Sequence, residues 1–384
     1  MVAPTLVVTL TATGPPNPYM AYESGTVDAI WLMGALMTPV RIASSAAARI
    51  SDPMVSPIDP DEAIYSVTIS GNTTIRRVNL VTDVSTDIVS LTGSSHNPMQ
   101  YWNPNGTQIV YRRATGAPAT SNEVWEIRRV DRDGTGDTLL FTYTPVPGTF
   151  QEALTCPCYS PSGSYIAYGK GRAGVADQVW IMNSDGTGSA LAASTGGDVT
   201  GLQWTTPYTY LSWQHNADVL GWMDMQAGSA DSSVWRKVNA DGTGLTTLLT
   251  TAHVLGKVQW QGSGRFCWLP DDTAMVSFRV DGSTDPRWRL AKIDSGGAGS
   301  SFISSHFSYG TFTGNPFGQD GHNLAPLIFR NGDGRIYWSP GISTGVTINN
   351  DVVSVLPDGT GLRTDDDGTV TPAHGMYGFS GIVT

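Results

Sequence analysis

The sequence predicts an all-β chain folded as a single β-propeller, a ring of four-stranded antiparallel units. Three observations carry that prediction. First, the tetrapeptide Asp-Gly-Thr-Gly begins at Asp133, Asp185, Asp241 and Asp358, at intervals of 52, 56 and 117 residues. The last interval is about twice the others, and a degenerate copy, Asp294-Ser295-Gly296-Gly297, stands near its middle. Second, each copy lies between short runs rich in β-branched and aromatic residues, such as Gln178–Asn183 before Asp185 and Val234–Asn239 before Asp241. That is a strand, a tight turn and a second strand; the glycines supply positive φ, and the Asp side chain accepts backbone N–H groups. Third, an aromatic strand entering a Pro-x-Gly turn precedes each hairpin, as in Tyr101-Trp102-Asn103-Pro104-Asn105-Gly106 and Cys158-Tyr159-Ser160-Pro161-Ser162-Gly163. Each unit therefore has four strands, A to D, and four-stranded units in series argue for a propeller.

Taken in order, unit one fits residues 5–45, with Thr5–Thr11, a turn at Gly14–Asn17, Tyr19–Tyr22, Ala29–Met33 and Val40–Ile42. Unit two fits 53–92, with Ala63–Ile69, Thr74–Leu80 and Asp87–Leu91. Units three and four occupy about 98–144 and 157–193, and unit five spans 198–250. Unit six fits 256–304, with Thr273–Val280 and Trp288–Ile293, and unit seven runs from about 309 to 366. The tail 370–384 is left to close the ring on unit one or unit seven. The count is seven; the same pattern is compatible with six or eight. Trp125, Trp180 and Trp235 are expected at one shared strand C position, wedged between neighbouring units.

The segment running from Tyr159 through the turn at Asp185–Gly188 resembles the repeat of TolB-like propellers, the PD40 or WD40-like repeat. The resemblance is strongest over residues 98–250, about three units. It implies the fold strongly and function weakly, because propellers host unrelated activities. TolB-like proteins are usually exported, whereas Leu6–Leu10 is too short for a signal-peptide core and lacks a basic leader. The expectation is either a mature chain or a propeller working without that export route. The resemblance also brings in oligogalacturonate lyases, which gather histidines around a metal on such a ring. Here the corresponding candidates are His253, His306 and His322.

Composition narrows the function classes. A net charge of −11 disfavours nucleic acid backbones and anionic membranes. No run approaches the ~20 apolar residues of a membrane helix. Three cysteines make no disulfide framework, and Cys156 and Cys158, two apart, are expected on one strand face as small buried thiols. Neither a His-Glu-x-x-His nor a phosphate-binding loop occurs. Asp131, Asp133 and Asp137 have the opening spacing of a calcium loop, but Thr142 stands where the bidentate Glu belongs, so a plain hairpin is favoured. No cofactor is expected beyond adventitious calcium.

In a four-stranded unit the A–B and C–D turns share one side of the ring, and the B–C and D–A connections share the other. The short repetitive turns mark the first side as structural. The irregular connections mark the second as the binding side: Arg112–Asn122, Lys170–Asp177, Trp213–Ser233, Asp281–Pro286 and Thr144–Thr155. Contact candidates there are Arg112, Arg113, Lys170 and Arg172. Trp213, Leu220, Trp222, Met223 and Met225 join them on an expected insertion loop in unit five. The expected function is a non-catalytic binding or structural protein. Its partners would be other proteins of a larger assembly, concretely a phage tail component of a virion, or a cell-surface glycan. The alternatives are a TolB-like propeller lyase or hydrolase acting on carbohydrate, and a periplasmic TolB-type adaptor.

Overall fold

A computed structural model describes residues 19–23, 28–33, 40–45, 49–92, 98–116, 123–145, 153–171, 178–194, 211–225, 233–250, 266–280, 287–293, 300–302, 328–330, 334–338, 342–343, 348–349, 352–361, 363–366 and 376–380. Among the described residues every regular element is a β-strand. Among these residues no helix is long and apolar enough to cross a membrane.

The described strands form seven four-stranded antiparallel sheets, numbered I to VII along the chain, and one two-stranded hairpin, Ile342–Ser343 with Ile348–Asn349. Sheet II contains Arg49–Val55, Glu62–Ile69, Asn72–Asn79 and Val84–Leu91. Sheet III contains Tyr101–Trp102, Gln108–Thr115, Val124–Asp131 and Thr138–Tyr143. Sheet IV contains Ala153–Tyr159, Tyr165–Gly171, Gln178–Asn183 and Ala190–Ser194. Sheet V contains Ser212–Trp213, Val219–Met225, Ser233–Asn239 and Thr246–Thr250. Sheet VI begins with Phe266–Trp268 and Ala274–Val280, and sheet VII with Ile328–Arg330 and Arg335–Trp338. Sheet I joins both ends of the chain: Tyr19–Glu23 pairs with Asp28–Met33 on one edge and with Met376–Ser380 on the other. Thr5–Thr11 lies outside the described residues, as does the degenerate turn at Asp294. First strands of adjacent sheets contact one another between III and IV, V and VI, and VI and VII, and Met376–Ser380 contacts Arg49–Val55.

The repeated turn has one geometry in all four copies. The Asp Oδ1 accepts the Thr backbone N–H at 2.9 Å in each. It also accepts the Thr hydroxyl, at 2.6 to 2.7 Å. These bonds hold the Asp133, Asp185, Asp241 and Asp358 carboxyls below their usual range. Both glycines of every copy have positive φ, as at Gly134 (89°) and Gly136 (66°).

Beyond the turn, strand D carries one extra residue opposite the same point of strand C. In sheets II, III, IV and V the residue skipped in the register is Ile88, Leu140, Ala192 and Leu248. This β-bulge bends the edge strand towards the next sheet. The next sheet's turn receives it: a Cβ on Gly134 would stand 2.9 Å from the Ile88 carbonyl oxygen, and one on Gly186 2.8 Å from that of Leu140. Gly242, with φ of 81°, has no such neighbour among the described atoms.

Between sheets the wedge is filled from both sides. Ile64, Ile75 and Ile88 of sheet II meet Trp102, Ile109, Tyr111 and Val130 of sheet III. Val110, Ala114, Trp125 and Ile127 of sheet III meet Leu154, Tyr159, Ile166 and Tyr168 of sheet IV. Ile109 and Val110 are consecutive and both fully buried, so the period of two sends side chains into two different cores. At the inner edge, indole N–H groups tie each sheet to the one before. Trp102 Nε1 donates to Met54 O (3.4 Å), Trp213 Nε1 to Cys158 O (3.3 Å) and Trp268 Nε1 to Ser212 O (2.9 Å).

One expectation is corrected here. The strand C tryptophans do not share a position. Asp131, Asn183 and Asn239 are equivalent, since each donates its N–H to the Thr carbonyl of its turn. Trp125 lies six residues before that anchor, Trp235 four and Trp180 three. Alternation therefore puts Trp180 on the opposite face of its strand, and it enters the III–IV core from sheet IV. Sheet IV also has a register shift between Thr155 and Cys158, with Pro157 in the irregular stretch. Cys158 is buried; the Cys156 side chain lies outside the described set.

The docking of bulge into turn predicts unequal costs for one substitution. Gly134→Ala and Gly186→Ala should each lose about 1–3 kcal/mol more than Gly242→Ala, which bears the φ strain without the backbone collision. Urea midpoints of the three variants measure the difference, and equal losses would remove the docking contact.

Candidate functional site

Of the nine contact candidates, the structure places eight in strands and brings only some of them together. Arg112 is buried in strand B of sheet III. Its Nη1 donates to Leu154 O of sheet IV at 2.6 Å, and its guanidinium carbon lies 5.1 Å from the Trp125 ring centroid. Lys170, half-buried in strand B of sheet IV, reaches the opposite way. Its Nζ stands 4.1 Å from the Tyr143 ring centroid of sheet III and 5.5 Å from that of Trp180. The two cations are thus reciprocal straps across the III–IV wedge. They are set at its B–C end, where ring faces stabilise desolvated charge. Behind them Tyr168 stacks on Trp180 at 6.5 Å and tilts against Phe141 at 5.2 Å. Burial pushes the Tyr168 hydroxyl up to about 12. Arg113, next along strand B, points to the other face and lies 3.9 Å from Glu126.

Arg172 lies outside the described residues, and so do the side chains of Met223 and Met225. Trp213, Leu220 and Trp222 are corrected. They are not on an insertion loop: Ser212–Trp213 is strand A and Val219–Met225 is strand B of sheet V. All three are buried in the IV–V core with Ala167, Val179, Ile181 and Val238. A sequence signal for this exists. Trp213-Gln214 stands where Trp102-Asn103 and Tyr159-Ser160 stand, and both Gln214 and Asn103 close the A–B turn by backbone bonds. The turn is disguised because His215 replaces Pro104 and Pro161, and Ala217 replaces Gly106 and Gly163.

The calcium candidates do not assemble. Asp133 is committed to Thr135. Asp131 Oδ1 accepts from Gln108 Nε2 at 2.9 Å, and Asp137 Oδ1 accepts from the Tyr111 hydroxyl at 2.7 Å and from Arg128 Nε at 3.1 Å. Among the described residues no group of three His, Cys, Asp or Glu is placed to hold a metal. His253, His306 and His322 lie outside the described residues.

The turn side is densely cross-linked instead. Arg77 Nη1 donates to Arg132 O (3.2 Å) and Arg129 Nη1 to Ser184 O (3.0 Å), each to the residue before the next sheet's turn Asp. Arg132 in turn pairs with Glu62 and Asp59 of sheet II. Around the inner edge Ser162 bonds Asp218 (2.6 Å) and Asn216 Nδ2 donates to Pro270 O (2.8 Å).

No protein-family model and no curated protein matches the chain. Solved structures do. The chain is similar to an oligogalacturonate lyase in complex with manganese, at 14% identity over 81% of this chain and 79% of that one, with a TM-score of 0.54. It is similar to the β-propeller domain of the Trilobed protease from Pyrococcus furiosus, at 9% identity over 83% and 82%, with a TM-score of 0.51. TolB from Acinetobacter baumannii matches at 13% identity and a TM-score of 0.48, over 73% of this chain and 61% of that one, so the chain spans less than two thirds of its length. At these identities the likeness is one of fold, and the fold is a β-propeller.

If Trp222 is core and not contact, Trp222→Ala should destabilise the chain by about 3–5 kcal/mol. Chemical denaturation measures it; a loss under 1 kcal/mol would return Trp222 to the surface.

Proposed function

We propose that the chain is a non-catalytic binding protein that presents the B–C and D–A side of its ring to a protein partner. One observation carries the reading: the opposite side is consumed by the protein itself. There, turn glycines receive bulged carbonyls, arginines cap turn carbonyls, and the turn carboxylates bond their own threonines. Loops on a rigid scaffold are where recognition evolves, and the Arg112 and Lys170 straps stiffen the base of two such connections. A member of a larger assembly, such as a virion tail, is the concrete form of this proposal, and it draws on composition alone. The enzymatic alternative depends on His253, His306 and His322, and the TolB-type adaptor on a channel ligand.

The test compares the two sides. With the chain immobilised through either terminus, Arg113→Glu with Lys170→Glu should reduce capture of the bound partner about tenfold or more, about 1.4 kcal/mol. Leu245→Lys, exposed just beyond the turn of sheet V, should leave it within twofold. Equal loss from both, or a purified monomer that binds no protein and cleaves an acidic polysaccharide, would overturn the proposal.

A further inference from the structure

Arg113, near the B–C end of sheet III, makes no hydrogen bond among the described residues. It stands on strand B, on the face turned to sheet II, directly across from Glu126 of strand C. Its Nη1 lies 3.9 Å from Glu126, and its Nε is buried with no hydrogen-bond partner. Glu126 is engaged elsewhere: its Oε2 accepts from Arg128 Nη1 at 3.2 Å, while Arg128 Nε donates to Asp137 at 3.1 Å. The adjacent carboxylate is thus drawn to a better-placed guanidinium, and the Arg113 side chain stays 31% exposed.

The wedge in front of it changes character along its length. Towards the turns it is filled by Ile64, Ile75, Ile109 and Tyr111. Further towards the B–C side, strand alternation brings Ser66, Thr68 and Thr73 to the face of sheet II that carries Ile64 and Ile75. These residues oppose the guanidinium with hydroxyls, and those of Thr68 and Thr73 bond each other at 2.9 Å. The rim is low as well. Strands B and C of sheet II are joined by Ser70 and Gly71 alone, both at positive φ (48° and 77°), as in a two-residue hairpin turn. Ile69, just before that turn and on the other face, is half-exposed.

We propose that Arg113 receives a carboxylate of the protein partner: a partner segment lies across the two-residue turn of sheet II, its acidic side chain pairs with the guanidinium, and a flanking apolar side chain covers Ile69. This deepens the reading of the B–C side as the binding side and rests on it. Three considerations choose the ligand. The guanidinium holds its donors in one plane, matching the two oxygens of a carboxylate. A net charge of −11 repels a polyanion such as a nucleic acid or a sulfated glycan, whereas a single carboxylate among apolar residues meets mainly the local field of Arg113. Ile69 gives a peptide, but not a polyanion, an apolar contact at the same rim.

Side-chain nitrogen NMR on the full chain tests this, with the Arg113 Nε–H signal assigned by its loss in Arg113→Lys. The probes are two end-capped pentapeptides at millimolar concentration, Ala-Leu-Glu-Leu-Ala and its glutamine counterpart. The glutamate peptide should shift the Arg113 signal and bind about fivefold more tightly than the glutamine one, the range of a single exposed ion pair. Arg113→Gln should erase that preference. Arg76→Gln, which cuts an ion pair on the opposite face of sheet II, should retain it. Equal affinity for the two peptides, a shift confined to Arg128, or a response to a heparin fragment without one to the glutamate peptide would overturn the carboxylate site. Any of these, with partner capture still sensitive to the paired Glu substitutions, strikes this site and leaves the binding side standing. A peptide preference without that sensitivity supports the site and strikes the wider reading.

Discussion

The structure depends on how one twisted sheet is held against the next. No sheet here can shield both of its faces alone, so each wedge between neighbours must be filled and closed at both edges. At the inner edge an aromatic residue ends strand A and reaches back to the preceding sheet, as Trp102, Trp213 and Trp268 do. At the outer edge the bulged carbonyl of strand D enters the following turn, Ile88 at Gly134 and Leu140 at Gly186. The repeated tetrapeptide serves both its own hairpin and the neighbouring sheet. Its Asp and Thr close the hairpin, and its first glycine clears the space that the neighbour fills.

That arrangement gives the ring its two unlike sides. The turns and their arginine caps must keep fixed shapes for adjacent sheets to register, which leaves little freedom for recognition. The connections at the far ends of the same strands carry no copy of the tetrapeptide. Arg112 and Lys170 mark the boundary: both leave a strand at its B–C end, and each crosses to the neighbouring sheet. A cation beside an aromatic face retains its charge while its stem packs as an apolar chain. These residues are therefore anchors for whatever the connections beyond them carry.

The fold was legible in the sequence because the turn chemistry is local: Asp, Thr and two glycines specify a hairpin whatever surrounds them. Three things were less legible. Strand phase is counted from the turn anchor, and Trp180 is an odd number of residues nearer to it than Trp125 or Trp235, so a shared Val-Trp word concealed opposite faces. The bulges of strand D follow from packing against another sheet and leave no residue signature; Ile88, Leu140, Ala192 and Leu248 share only an apolar character. The first turn of sheet V lost its proline and glycine, so Trp213 through Met225 looked like a loop rich in contact residues when its Trp213, Leu220 and Trp222 are core.

Sheet V departs from its siblings at both edges. Its outer turn keeps the tetrapeptide, yet Gly242 receives no bulged carbonyl among the described atoms, whereas Gly134 and Gly186 do. Its inner turn has an imidazole where sheets III, IV and VI have a pyrrolidine. In an array stabilised by nearest-neighbour contacts, the weakest interface sets where local opening begins, and opening there does not require the other wedges to give way. Towards sheet IV, sheet V packs a buried core that includes Trp213 and Trp222. Towards sheet VI the hydrogen bonds of His215, Asn216 and Trp268 stand beside buried apolar residues of that sheet, Trp268, Leu269 and Ala274, so these polar contacts add to apolar burial and do not stand in for it.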